Sequence, residues 1–322
     1  MSPVLRGAEG FERYYANVFG ARWPSLRDAL LGSVRHAAWR NPFAKVLDAP
    51  GGAPLHRLFA ALPTALFEGC TLLDAPAAPA KDAAGLTTFY ALDPASVLPP
   101  RLLAPRPGET IGELCAAPGG KALLLAERLA PDATLVLNDR SRARLERLRR
   151  VIDDYLPASL GARIRITNVH AARFGLRSPG AFDALLLDVP CSSERHVLGS
   201  PRALGEWSAA RVKRLAQQQY AILAAAAAAL KPGGRLVYST CALAHDENDG
   251  VIERILQSPR HPMLSVLPDG FPRSSEARAE GGTVLPRSAV AEVEPTRFGF
   301  RILPDRSAAG PLYFAVLQKP EE

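Results

Sequence analysis

The sequence predicts an α/β fold: one open, mostly parallel sheet, closed by a C-terminal antiparallel hairpin and preceded by a mainly helical N-terminal region. Three observations carry this. From residue 109 onward, short apolar runs alternate with stretches of helical periodicity. A loop of small residues, 112-GELCAAPGGK-121, joins the first apolar run to the first helix of that series. The last two runs are separated by 305-DRSAAG-310, which reads as a hairpin turn.

Taken in order, the first hundred residues begin with helical spacing in 11-FERYYANVF-19. A second helix is expected over 24–40, with Pro24 in its first turn. The stretch 74-DAPAAPAKDAAG-85 reads as a linker or surface loop, and Pro99-Pro100 with 104-APRPGE-109 forms a further break. The chain is therefore divided into residues 1–100 and residues 101–322. Strands are expected at 110–116, 134–139, 163–169, 182–188 and 235–241, most of them short continuous apolar runs as in strands covered on both faces. Between them lie helices at 121–130, stopped by Pro131, and 141–156, with Leu145, Leu148, Ile152 and Tyr155 on one face. A long helix ends at 231-KPGG-234, and its alanine run suits close packing on the sheet. Residues 264–296, rich in Pro, Gly, Ser and Arg, read as irregular and mobile. The hairpin strands are 299–304 and 311–318.

The chain has 322 residues, 48% of them hydrophobic, enough for a large core. Its formal charge of +7 is compatible with a polyanionic partner. Cys70, Cys115, Cys191 and Cys241 form no CxxC pair and no zinc spacing, so neither a metal nor a disulfide framework is expected. A reducing compartment follows, the cytoplasm, with the mitochondrial matrix as alternative. No apolar run reaches the roughly 18 residues of a membrane span. The N-terminus lacks a signal-peptide core and carries acids early, unlike most transit peptides.

In an open α/β sheet, ligands bind beyond the carboxyl ends of the strands. The loop Cys115, Ala116, Ala117, Pro118, Gly119, Gly120 and Lys121 lies at such an end and suits a nucleotide-like cofactor. It is neither a GxGxxG fingerprint nor a Walker A loop. Asp139, about twenty residues on, can accept hydrogen bonds from a ribose. Cys191 and Cys241 stand at the mouths of two later strands, where a lone buried cysteine would otherwise be a small hydrophobe.

The set 113-ELCAAPGGK-121, 188-DVPCSS-193 and 236-LVYSTCALAHDEN-248 resembles the Nop/Sun family, the RsmB-like RNA cytosine carbon-5 methyltransferases. The resemblance runs from about 90-YALDPASVLPPRLL-103 to the C-terminus. Upstream, 14-YYANVFGARWPSLRDALL-31, and also 190-PCSSERH-196, are similar to the branch holding the mitochondrial ribosomal-RNA member. The resemblance implies a Rossmann-like class I methyltransferase sheet, S-adenosylmethionine as cofactor, and 5-methylcytosine as product. It favours ribosomal over transfer RNA. Carbon 5 of cytosine is a poor nucleophile until a thiolate adds to carbon 6. The resemblance assigns that thiolate to Cys241, release of the covalent product to Cys191, and the ring-nitrogen edge to Asp188. It places the cofactor on Cys115 to Lys121, with Asp139 on the ribose and Arg144, His170 and Asp188 nearby.

Three departures stand out. Glu113 and His170 occupy positions where the family commonly has Asp, and 192-SSE-194 replaces the commoner Ser-Gly. The target cytosine must be unpaired or flipped out. Phosphate contacts are expected from Arg22, Arg27, Arg35 and Arg40, and after the DVPC motif from Arg195, His196, Arg202, Arg211, Lys213 and Arg214. Tyr14, Tyr15 and Trp23 are candidates for base stacking, against core packing, and the N-terminal region is the candidate RNA platform. A protein partner is not indicated. The competing readings are a methyltransferase for protein or small molecules, a non-catalytic RNA-binding or ribosome-assembly factor, and a thiol redox protein.

Overall fold

The computed structural model describes residues 5–45, 52–60, 62–259, 264–267, 292–307 and 309–321. Strands β1 (Ala37–Arg40), β2 (Cys70–Leu72) and β3 (Phe89–Leu92) form a small antiparallel sheet in the order β2-β1-β3. The large sheet contains β4 (Thr110–Glu113), β5 (Thr134–Asn138), β6 (Ile164–Thr167), β7 (Phe182–Asp188) and β8 (Leu230–Thr240). It continues with β9 (Ser265–Val266), β10 (Val293–Pro295), β11 (Phe300–Ile302) and β12 (Leu312–Gln318). Its order is β10-β11-β12-β8-β7-β4-β5-β6, with β9 paired to β12. Strands β4 to β8 run parallel, and β12 lies antiparallel to β8.

The expected strands are all present, most of them trimmed at their ends. The centre of β7 is apolar on both faces because Leu185 and Leu186 are fully buried. The helix Arg142–Tyr155 is capped by Ser141, whose Oγ accepts from Arg144 N, and buries the four predicted residues. The helix Ala209–Ala229 buries Ile222, Leu223, Ala226 and Ala227. The short helix Phe174–Arg177 lies against its alanine run so closely that a Cβ on Gly175 would stand 2.5 Å from Ala225 O. The irregular segment expected over 264–296 lies largely outside the described residues. The parts described there include β9 and β10.

The N-terminal region is less helical than expected, since it holds the three-stranded sheet β2-β1-β3. Helices Gly7–Phe19 and Trp23–Leu31 are present, but the second does not continue to residue 40. Gly32 closes it, and the chain then extends into β1. There Ala37 and Trp39 are buried in pairings with β2 and β3, so sheet pairing overrides the helical spacing. Core side chains on both sides of residue 100 belong to one cluster, Trp39, Phe59 and Leu98 with Leu123, Leu135 and Phe314. A second cluster joins Phe11, Tyr15 and Trp23 to Val197, Trp207 and Leu243. Among the described residues no helix is long and apolar enough to cross a membrane.

Candidate active site

The site follows from the strand order. The chain leaves β4 toward β5 and β6, then returns to β7 and β8 on the other side. A crevice therefore opens over the carboxyl ends of β4 and β7. Strands β7 and β8 are in register there, Asp188 beside Ser239. The turns that follow bring Cys191 Sγ within 2.9 Å of Cys241 Sγ, with Ser193 Oγ 3.4 Å from the latter. Lys121, in the first turn of the helix Gly120–Ala126, donates to Asp188 Oδ2 at 2.7 Å. Ser239 Oγ donates to Asp188 Oδ1 at 3.0 Å, so the carboxylate is held from both sides. A cleft of about 490 Å³ opens onto this group, and Asp93, Arg195, His196 and Pro311 also line it.

The thiols are electrostatically unequal. The hydrogen bond from Cys191 holds the Cys241 thiol below its usual pKa, and Ser193 adds to the effect against burial. The same bond, reinforced by burial, pushes Cys191 well above its usual value. Cys241 is thus the easier of the two thiols to ionise and Cys191 the harder. Burial opposes the charge on Lys121, but Asp188 outweighs it and raises its pKa.

Two buried carboxylates beneath the thiols were not singled out in the sequence. Glu194 accepts hydrogen bonds from Tyr15, from Ser192 Oγ and, at 3.0 Å, from Leu243 N. It therefore ties both cysteine loops to the first helix. Glu247 Oε2 accepts from Ser192 N at 3.0 Å and Gln219 Nε2 at 2.7 Å. Burial raises both acids, with the charge of Glu194 contributing to Glu247, which reaches about 7. Both stand beside motif cysteines in the chain, yet their partners come from remote segments.

The second half of the crevice is lined by Cys115, Asp139, Arg144 and His170. Asn138 fixes its floor: its Nδ2 donates to Leu114 O and Val169 O, and its Oδ1 accepts from Val169 N. Gly119 has φ of +123°, and a Cβ there would lie 2.9 Å from Val151 Cγ1, so the loop needs glycine at this point. Arg144 pairs with Asp139 Oδ2 at 3.0 Å and also donates to Ala117 O, stapling the loop to the next helix. His170 Nδ1 accepts from Ala172 N at 3.3 Å, so that nitrogen serves a local cap. Burial raises the Cys115 thiol, which keeps it in the neutral form.

S-adenosylmethionine carries a positive sulfonium and an ammonium, and the crevice suits both. Glu113 Oε2 is buried without a hydrogen-bond partner, as is Asp139 Oδ2, whose contact with Arg144 is an ion pair only. Burial raises Glu113 to about 8 against the opposing pull of Lys121. Glutamate in place of the expected aspartate thus keeps a buried carboxyl group at the end of β4, next to the loop.

Several expected RNA contacts are engaged elsewhere. Arg22 is held by Glu294 and Asp305, and Arg27 by Glu12. Tyr15 and Trp23 are core residues of the aromatic cluster, so they do not stack on bases. Tyr14 packs edge-on against Trp207. Arg35, Arg40, His196, Arg211, Lys213 and Arg214 are exposed, while Arg202 pairs with Glu206 on its own helix.

A sheet of this order, with its crevice over a glycine-rich first turn, defines a Rossmann-like methyltransferase fold. Solved structures agree. A methyltransferase homolog from Pyrococcus horikoshii matches with a TM-score of 0.68 at 23% identity, covering 96% of this chain and 94% of that one. The family described as 16S rRNA methyltransferase RsmB/F matches residues 100–318, and the chain belongs to it. Among relatives, the 5-cytosine rRNA methyltransferase NSUN4 of Bos taurus is 32% identical, covering 79% of this chain and 75% of the relative. The mitochondrial tRNA (cytosine(34)-C(5))-methyltransferase of Mus musculus is 29% identical, covering 96% and 89%.

Proposed function

We propose that the protein is an S-adenosylmethionine-dependent RNA methyltransferase that forms 5-methylcytosine, with ribosomal RNA as the favoured substrate. The observation that carries this is the pair of thiols, 2.9 Å apart at the cleft with pKa values driven apart, beside the Asp188–Lys121 pair. Direct transfer to nitrogen or oxygen needs no such pair. Cys241 adds to carbon 6 of an unpaired cytosine, which makes carbon 5 nucleophilic. Asp188, held by Lys121 and Ser239, meets the ring-nitrogen edge where charge develops. S-adenosylmethionine, held over Cys115 to Lys121, supplies an electrophilic methyl group. A base then takes the carbon-5 proton, the electron pair of that bond expels Cys241 as its thiolate, and Cys191 assists this release. Asp139 and Arg144 hold the ribose end of the crevice, and His170 borders it.

The names of the relatives support ribosomal RNA first and transfer RNA second. The word mitochondrial in the second name favours the mitochondrial matrix over the cytoplasm, which cell fractionation checks. Residues 1–100 form the RNA platform in this reading, with exposed Arg35 and Arg40 on its surface, and residues 101–322 the catalytic unit.

Trapping of a protein–RNA adduct tests the proposal. Incubated with S-adenosylmethionine and total RNA, Cys191→Ala accumulates a covalent adduct on a denaturing gel, and Cys241→Ala forms none. Adduct that persists in Cys241→Ala reverses the thiol roles. Failure to bind S-adenosylmethionine at all favours a non-catalytic RNA-binding factor on the same fold.

A further inference from the structure

Ser193 occupies an uncommon backbone position. Its φ of 56° and ψ of 61° are left-handed, and among the described residues Ala104 is the only other non-glycine with positive φ. A side chain in this region strains the backbone, and glycine would make the same turn freely. Ser193 is also where the chain departs from the Ser-Gly commoner after the motif cysteine. What serine adds is a hydroxyl, and that hydroxyl lies at the reacting atoms. Its Oγ is 3.4 Å from Cys241 Sγ and 3.5 Å from both Cys191 Sγ and Cys191 O, so the nearest acceptor for its proton is the Cys241 sulfur, and the residue lines the target cleft.

We propose that Ser193 is a further catalytic residue, whose hydroxyl donates to the Cys241 thiolate and holds that sulfur ready for addition to the base. This rests on the reading of Cys241 as nucleophile. Two cations reach Cys241 by charge: Lys121, which is bound by Asp188 at 2.7 Å, and Arg195 on the cleft wall. The hydrogen-bond partners of the thiolate are then Cys191 and Ser193. A thiol is a weak donor and a hydroxyl a strong one. Cys191 also has its own task later in the reaction. Ser193 is the donor that remains in place throughout, and the strained backbone is kept for the sake of this contact. The lowered pKa of Cys241 agrees, since Ser193 contributes to it after Cys191.

The test reads the thiol without requiring RNA. Full-length protein is alkylated with iodoacetamide from about pH 5 to about pH 10, and the peptides carrying Cys191 and Cys241 are quantified separately by mass. In Ser193→Ala and Ser193→Gly the Cys241 midpoint rises by about one unit, which slows labelling near neutrality about tenfold. Ser193→Thr keeps the hydroxyl and stays close to wild type. Ser193→Gly relieves the backbone, so its loss of reactivity is not a folding defect. In methylation assays the same two variants lower kcat and leave KM for RNA unchanged. Unchanged Cys241 midpoints in both Ser193→Ala and Ser193→Gly overturn the proposal. A shifted midpoint in a protein that methylates no RNA upholds the hydrogen bond and refutes the proposed function instead.

Discussion

At the scale of the residue, the site works by making like groups unlike. Two cysteines share one hydrogen bond, which lowers the pKa of Cys241 and raises that of Cys191. Two glutamates, Glu194 and Glu247, share one buried space, and neither has a basic partner among its hydrogen bonds. A carboxyl raised by the fold keeps its proton longer in the native than in the unfolded chain. Its contribution is therefore complete below the unfolded pKa and is lost as pH rises through the folded value. For Glu247 that window runs from 4.5 to about 7. Over it, Glu247→Gln removes a pH-dependent loss of order 3 kcal/mol. Urea titrations of both proteins at each end of the window measure it. Equal pH dependence in the two would show that Glu247 carries no such linkage.

At the scale of the element, the helix Ala209–Ala229 shows how small residues bring parts close. Gly175 and the alanine run meet at backbone distance, so Gly175→Ala drives a methyl into Ala225 O. Overpacking of this kind costs about 1–3 kcal/mol. A lower urea midpoint, with adduct formation intact in the cold, is the expected result. An unchanged midpoint would mean the helices separate freely. This contact was half legible in the sequence: the alanine run announced close packing, but not the glycine that receives it. The strands from β4 to β8 were legible because most are short apolar runs set between helical stretches. The site motifs were legible because each sits at a strand end, where crevices form. The end of the second helix at Leu31 was not, since β1 depends on partners β2 and β3 from distant sequence. Glu194 and Glu247 escaped for the same reason. Their burial is set by Tyr15 and Gln219, which no local pattern connects to them.

At the scale of the whole molecule, the N-terminal helix is part of the active site's support. Tyr15 donates to Glu194, which in turn accepts from Leu243 N, two residues beyond Cys241. Arg22 ties the same region to Glu294 and Asp305. Tyr15→Phe leaves a buried carboxylate short of one donor, at a cost of about 1–3 kcal/mol. The expected result is a lower melting temperature together with slower adduct formation by the Cys191→Ala form. A drop in stability alone would confine Tyr15 to packing.

The position of β12 has a consequence for how the protein is made. This strand is the last in the sequence, yet it lies inside the sheet, between β8 and β11. Pro311, just before it, and Leu312, its first residue, also form a wall of the target cleft. A growing chain folds from its N-terminal end as it emerges. Both cysteines and the cofactor loop are therefore synthesised well before the cleft has its wall. Until residue 318 has been added, β8 presents an unpaired edge. A nascent chain thus holds its reactive thiols in an unfinished pocket, and the capacity to act on RNA arrives only with the final strand.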